Sequence, residues 1–192
     1  HDHVEMFLFA VACALELQVY RIGLDGSNRT RLSKTPGTHQ ATFNAARTRY
    51  IDRWTDVTTP AQLRLHGADG NEIRTIEANP VTTLAEYRLS KPEFLQVKTR
   101  DGGSMDAMMI KPQDFNPSRR YPVYQFTYSG PGSSQVLNSW KGQDFMFYQL
   151  LAQSGVVVWV LDNRSASQRG VEAQWPVYGR LGEYELQDLE DG

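Results

Sequence analysis

Tyr128 is the residue of this chain best placed to do chemistry. It follows the apolar and aromatic run Tyr121 to Thr127 and precedes Gly130-Pro131-Gly132. A phenolic hydroxyl at the exit of a strand can donate a hydrogen bond to negative charge that develops during a reaction. It can equally cap the strand and pack under Pro131, and the residues alone leave both readings open. Nucleophilic catalysis needs a hydroxyl or thiol beside a base. Ser133 and Ser134 follow the glycines, but the four histidines, His1, His3, His39 and His66, all precede Tyr128. No serine has glycine at both −2 and +2, so a nucleophile elbow is absent and Ser133-Ser134 reads as a flexible turn. Gly130 and Gly132 lack both the Gly-Lys-Ser/Thr ending of a phosphate loop and the third glycine of a dinucleotide fingerprint. Asp162 and Arg164 can bind a ligand; the plainer reading is an Asp–Arg pair that fixes a strand's exit. Glu183, Glu185, Asp188, Glu190 and Asp191 read as the solvated face of a helix, because helical spacing does not converge them on a metal. Trp140, Trp175 and Tyr178 read as core or interface packing rather than stacking surfaces for substrate.

The elements around Tyr128 follow from local pattern. Tyr121 to Tyr128 and the continuous apolar run Val156 to Leu161 read as central strands. Between them Gln143 to Gln153 reads as a helix closed by Ser154-Gly155. Strand, glycine-rich turn, helix and buried strand imply an α/β sheet with parallel pairing. In such sheets the loops at the carboxyl ends of the strands build the active site, and Tyr128 sits on one of them. Glu93 to Lys98 and Met105 to Lys111 flank Asp101-Gly102-Gly103 as an antiparallel hairpin. Gly182 to Leu189 starts a helix whose carboxylates sit near its positive end.

The first eighty residues read as short strands and turns. Leu17 to Leu24 alternates into Asp25-Gly26, and Gln62 to Ala68 alternates into Asp69-Gly70. Asp-Gly between alternating runs is a strong hairpin signal. The two pairs stand 44 residues apart, and each leads to a further strand, Arg29 to Leu32 and Glu72 to Ile76. Ala41 to Phe43 and Tyr50 to Trp54 add two more. A repeat of several strands near ~40–45 residues is what a β-propeller blade produces, although chance hairpins in another all-β domain also give such an offset. Asn79-Pro80 to Ser90 reads as the linker, with Leu84 to Leu89 helical. Met6 to Leu15 reads as a buried strand.

The net charge of −2 gives no electrostatic case for nucleic acid or an anionic membrane surface. The longest apolar run, Met6 to Leu15, has about ten residues where a membrane span needs ~20, and its acidic flank argues against a signal peptide. The single cysteine, Cys13, rules out an internal disulfide and leaves the compartment open, and no zinc site of standard spacing exists. The chain starts at His1 rather than Met, which reads as a piece of a longer polypeptide.

Three blocks together carry a family resemblance: Tyr128-Ser129-Gly130-Pro131; Asp162-Asn163-Arg164 with Arg169-Gly170; and Arg180-Leu181-Gly182 with Glu185 and Asp188. They resemble the start of the hydrolase domain of the dipeptidyl peptidase IV group within the prolyl oligopeptidase superfamily. Ser165 departs from the pattern, standing where glycine is commoner, and the segment before Val19 is atypical. The resemblance covers roughly Tyr87 to Gly192, and it implies the last blade or blades of a β-propeller over residues 1–80. Residues 81–192 would be the N-terminal part of an α/β-hydrolase domain that stops before its nucleophile elbow. It implies a serine exopeptidase that releases N-terminal dipeptides with Pro or Ala at the second position, acting on peptide substrates without a cofactor. The same resemblance implies that the whole protein is a homodimer and favours a periplasmic or secreted location, with the cytoplasm left open, and it implies that the Tyr128 hydroxyl is one donor of the oxyanion hole. The triad order Ser, Asp, His cannot be assembled within this chain, so the chain alone is expected to be inactive. Another peptidase of the superfamily, an oligopeptidase or acylaminoacyl peptidase, is one alternative. A non-catalytic propeller–hydrolase scaffold used for binding is the other; the presence or loss of a Gly-x-Ser-x-Gly elbow downstream separates it from an enzyme.

Overall fold

The computed structural model describes residues 5–192, with side chains from Ala14 onward. The chain divides into two compact units. One runs through Thr82 and takes in Asn138–Trp140, and the other comprises Thr83–Leu137 and Lys141–Gly192.

The first unit is built from two antiparallel sheets. In one, β1 (Glu5–Cys13), β2 (Glu16–Gly23) and β3 (Thr30–Arg31) pair in chain order. In the other, β4 (Thr38–Phe43), β5 (Arg49–Thr55), β6 (Gln62–Gly67) and β7 (Glu72–Glu77) form a four-stranded meander. The strand expected over Met6 to Leu15 is β1, whose side chains lie outside those described. The two Asp-Gly hairpins have one geometry. Gly26 N–H bonds the Gly23 carbonyl and Gly23 N–H the Ser27 carbonyl; Gly70 N–H bonds the Gly67 carbonyl and Gly67 N–H the Asn71 carbonyl. The Asp25 and Asp69 carboxylates each accept the N–H two residues on, from Ser27 and Asn71. Both are three-residue loops with a left-handed glycine as the last member. The hairpin between β8 (Glu93–Lys98) and β9 (Ser104–Ile110), in the second unit, repeats the pattern at Thr99 to Gly103.

Strand periodicity decides what the meander buries. Along β5, Tyr50, Asp52 and Trp54 point inward while Arg49, Ile51 and Arg53 face outward. The buried Asp52 is matched by the buried His39 of β4, whose Nδ1 lies 2.6 Å from Asp52 Oδ2. Asn138 ties three segments of this unit together. It donates to Glu16 Oε1 at 2.7 Å, accepts the Val57 N–H at 3.0 Å, and its carbonyl accepts the Thr38 hydroxyl at 3.0 Å.

The second unit has a four-stranded mixed sheet in the order β10-β11-β9-β8, with β10 at Val123–Phe126 and β11 at Val157–Asp162. β10 and β11 run parallel, with Val123 opposite Val157, while β11–β9 and β9–β8 are antiparallel. Between the parallel strands lies α1 (Gln143–Gln153). Its end is a Schellman motif: Gly155 N–H bonds the Ala152 carbonyl and Val156 N–H the Leu151 carbonyl. The second helix, α2 (Glu183–Asp191), packs Leu189 against a core of Met105, Ala107 and Leu161.

Two expectations are corrected. β11 is central, but among the described residues β10 has a ladder only with β11. The apolar run over Tyr121 to Tyr128 serves one face, where Tyr124 and Phe126 meet Tyr148 of α1, while Val123 stays exposed. The linker helix over Leu84 to Leu89 is instead a 3-10 turn at Thr82–Glu86, closed by an i to i+3 bond from Tyr87 N–H to the Leu84 carbonyl.

Candidate active site

Tyr128 lies two residues beyond the carboxyl end of β10, and 64% of it is exposed. The backbone turns sharply after it: Ser129 has φ 61°, and Gly132 φ 69°. The Tyr128 ring lies over Gly130, where a Cβ would come within 2.6 Å of ring Cε1. A Cβ at 130 would have to displace the Tyr128 ring, so glycine there lets the ring lie on the turn. The ring packs on the turn, and the side chain still reaches the open end of the sheet.

The loop that carries Tyr128 is tied to the turn after β11. Gly132 N–H donates to the Ser165 carbonyl at 2.8 Å, and the Ser134 hydroxyl to the Ala166 carbonyl at 2.8 Å. Asp162, the last residue of β11 and 2% exposed, accepts the backbone N–H of Gln135 at 2.8 and 3.0 Å and that of Val136 at 2.9 Å. Burial pushes the Asp162 carboxyl up, and the two N–H donors oppose that shift. The expected Asp162–Arg164 pair does not form: each holds a different part of the chain.

Arg164 reaches the opposite way. Its guanidinium bonds Asp188 of α2 through Nη2 at 2.7 Å and Nε at 3.0 Å, and its backbone N–H bonds the same carboxylate at 2.8 Å. Nη1 also meets Asp101 at 2.6 Å. These carboxylates raise the Arg164 pKa, chiefly through the hydrogen bonds that Arg164 donates to Asp188. Arg169 bonds both oxygens of the buried Asp106 at 3.0 Å.

The acidic run in α2 is a solvated face only at Glu183 and in part at Glu190. Asp188 is fully buried on Arg164, Glu185 accepts the Gly182 N–H at 2.9 Å, and Glu190 and Asp191 hold Arg100 at 3.0 and 2.7 Å. Helical spacing showed where the carboxylates sit on α2 but not the arginines brought in from other segments. Trp175 and Tyr178 are likewise not core residues, at 64% and 90% exposed. With Pro131, Val171 and Leu181 they line a shallow apolar groove of about 490 Å³ beside the Tyr128 loop.

Among the described residues, no group of three His, Cys, Asp or Glu side chains is placed to hold a metal, and no helix is long and apolar enough to cross a membrane. His39 and His66 both stand in the first unit, bonded within it to Asp52 and to the Gly70 carbonyl. Sequence reasoning missed Asp162 as the loop's anchor. The available signal was a carboxylate at the end of a continuous apolar strand, where a buried charge must find donors.

No protein-family model matches the chain. A protein of Aspergillus clavatus named "Probable dipeptidyl-aminopeptidase B" is 32% identical over 187 residues, which are 95% of this chain and 20% of that protein. The dipeptidyl peptidase 4 of Arthroderma otae is 32% identical over 176 residues, 88% of this chain and 23% of its own length. The crystal structure of Porphyromonas gingivalis dipeptidyl peptidase 4 superposes with a TM-score of 0.90 at 33% identity, over 99% of this chain and 27% of that one. The chain thus spans about a fifth to a quarter of the length of the relatives it matches. In sequence and in backbone alike, this is a dipeptidyl peptidase IV-like chain.

Proposed function

We propose that this chain is part of a serine exopeptidase that removes dipeptides from the N-terminus of peptides, with Pro or Ala at the second position. In this reading residues 1–80 form the last blade or blades of a β-propeller. Residues 81–192 form the first part of an α/β-hydrolase domain, and the whole protein is a homodimer. The four-stranded meander and the matched hairpins at Asp25-Gly26 and Asp69-Gly70 support the first assignment. The parallel β10–α1–β11 unit supports the second.

The observation that carries the reading is the placement of Tyr128: an exposed phenol on a braced loop at the carboxyl end of a parallel strand. Cleavage of a peptide bond passes through a tetrahedral intermediate whose oxygen gains negative charge. A preorganised hydroxyl donor lowers that barrier most where water is excluded. Tyr128 is the donor; the nucleophile and its base come from outside these 192 residues.

Two measurements test this. The full-length protein, incubated with peptides of varied second residue, releases intact N-terminal dipeptides by mass spectrometry, fastest for Pro or Ala; release of single residues or internal fragments would refute the exopeptidase reading. The 192-residue chain by itself takes up no fluorophosphonate label, and stoichiometric labelling of any of its serines would overturn the assignment of the nucleophile elsewhere.

A further inference from the structure

We infer that Asp162 is a positioning residue for the oxyanion donor: its carboxylate sets the loop that aims Tyr128. This rests on the reading of Tyr128 given above.

Among the described residues β10 has only four residues and a ladder on one side, so its end constrains Tyr128 weakly. β11, by contrast, is paired with β10 as far as Val160 and with β9 through Asp162 itself, opposite Asp106, so its carboxyl end is held in the sheet. Asp162 stands at that point. Its two oxygens take the main-chain N–H groups of Gln135 and Val136, at the far end of the loop from Tyr128. The loop is thus held to β11 at its start by the strand ladder and at its finish by one carboxylate, with Gly132 and Ser134 bonded to the turn just beyond.

The anion suits this task. Hydrogen bonds from N–H to a carboxylate are shorter and stronger than those to a neutral acceptor, and no guanidinium or ammonium lies within ion-pair distance of Asp162 among the described residues. The charged groups that influence it are Asp106 and Lys141. Its carboxylate accepts hydrogen bonds from the loop alone among the described residues, so the side chain's contribution falls on loop position. Asparagine at 162 would keep one acceptor and set an NH2 group against the other backbone N–H. Asp162 has no hydrogen bond to Tyr128 and acts through the backbone between them.

The test is a double-mutant cycle in the full-length peptidase, using Asp162→Asn, Tyr128→Phe and both together. Asp162→Asn is expected to lower kcat roughly 10- to 100-fold, as misplacement of a reacting group by about 1 Å does, with KM within about twofold. In the Tyr128→Phe background the same change costs less than about threefold, because the group it positions has already lost its hydroxyl. Amide exchange at Gln135 and Val136 speeds up in both backgrounds. Normal kcat in Asp162→Asn, or an equal loss in the two backgrounds, overturns the inference. Near-normal kcat in Tyr128→Phe overturns instead the reading of Tyr128; any loss then seen in Asp162→Asn would mean that Asp162 positions something else. Should Asp162→Asn prevent folding, Asp162→Ser makes the same comparison with one hydroxyl acceptor in place of two oxygens.

Discussion

Arg164 and Asp188 form a multiply bonded long-range link in the second unit. A fully buried carboxylate on α2 takes two guanidinium nitrogens and the backbone N–H of a residue 24 positions earlier. The pair fixes the turn after β11, and that turn supplies the carbonyls of Ser165 and Ala166 to the Tyr128 loop.

Removing the acid is expected to be costly. Asp188→Ala strips Arg164 of its main partner and leaves the backbone N–H without an acceptor. A broken buried pair typically costs 3–5 kcal/mol. The Arg164 side chain keeps 20% exposure and Asp101 as a second partner, so the loss should be about 3 kcal/mol. Denaturant unfolding measures it, and a change under about 1 kcal/mol would show the pair to be dispensable.

Tyr128→Phe separates chemistry from packing. A hydroxyl aimed at a developing oxyanion acts in the transition state, so kcat should fall and KM hardly move. Loss of one such donor costs about 2.7–4 kcal/mol, roughly 10²–10³ in kcat. The ring stays on Gly130, and the melting temperature should stay with it. Steady-state kinetics of the full-length enzyme on a Pro-containing chromogenic dipeptide amide, beside a melting curve, gives both numbers. Normal kcat with a lowered melting temperature would assign Tyr128 to structure.

The matched hairpins should respond differently to one substitution. Gly26 and Gly70 share φ 83°, so alanine meets the same left-handed strain at both. At Gly26 a Cβ would enter open space; at Gly70 it would come within 2.6 Å of the Leu32 carbonyl oxygen. Gly26→Ala should cost about 1–2 kcal/mol, and Gly70→Ala about 3 kcal/mol or more, because overpacking is added. Equal melting temperatures for the two variants would mean that Gly70 does not meet Leu32 as described.

Acid should weaken the second unit. The Asp101 carboxyl is held below its usual range, first by the hydrogen bond from Arg164, and Asp191 is lowered by the Arg100 backbone and side chain. A depressed folded pKa gives stability that is present above the unfolded value, about 3.9, and lost as pH falls through the folded one. Asp162 works the other way: burial raises its folded pKa, so its contribution declines as pH rises from the unfolded value through the folded one. Asp101→Asn should flatten the acid limb of a melting-temperature profile, while Asp162→Asn should remove a decline on its higher-pH side. An acid limb unchanged by Asp101→Asn would refute the first assignment.

Much of this molecule is legible from short-range chemistry. The Asp-Gly turns announce three hairpins because a left-handed glycine and an Asp carboxylate facing its own backbone are local properties. The span of α1, with its stop at Ser154-Gly155, is local in the same way. The parallel pairing of β10 with β11 followed from a helix between two apolar runs. The loop that carries Tyr128 and its glycine turn was legible too. What the sequence left undecided was the partner of each buried charge. Asp162 looked like the mate of Arg164 two residues on, and the acids of α2 looked solvated. Only the tertiary structure carries Asp162 to the N–H groups of Gln135 and Val136, Arg164 to Asp188, and Asn138 into the first unit. The physical reason is that turns and caps are satisfied within a few residues. A buried carboxylate instead accepts whatever donor the packed chain brings to it, and its identity depends on segments tens of residues away.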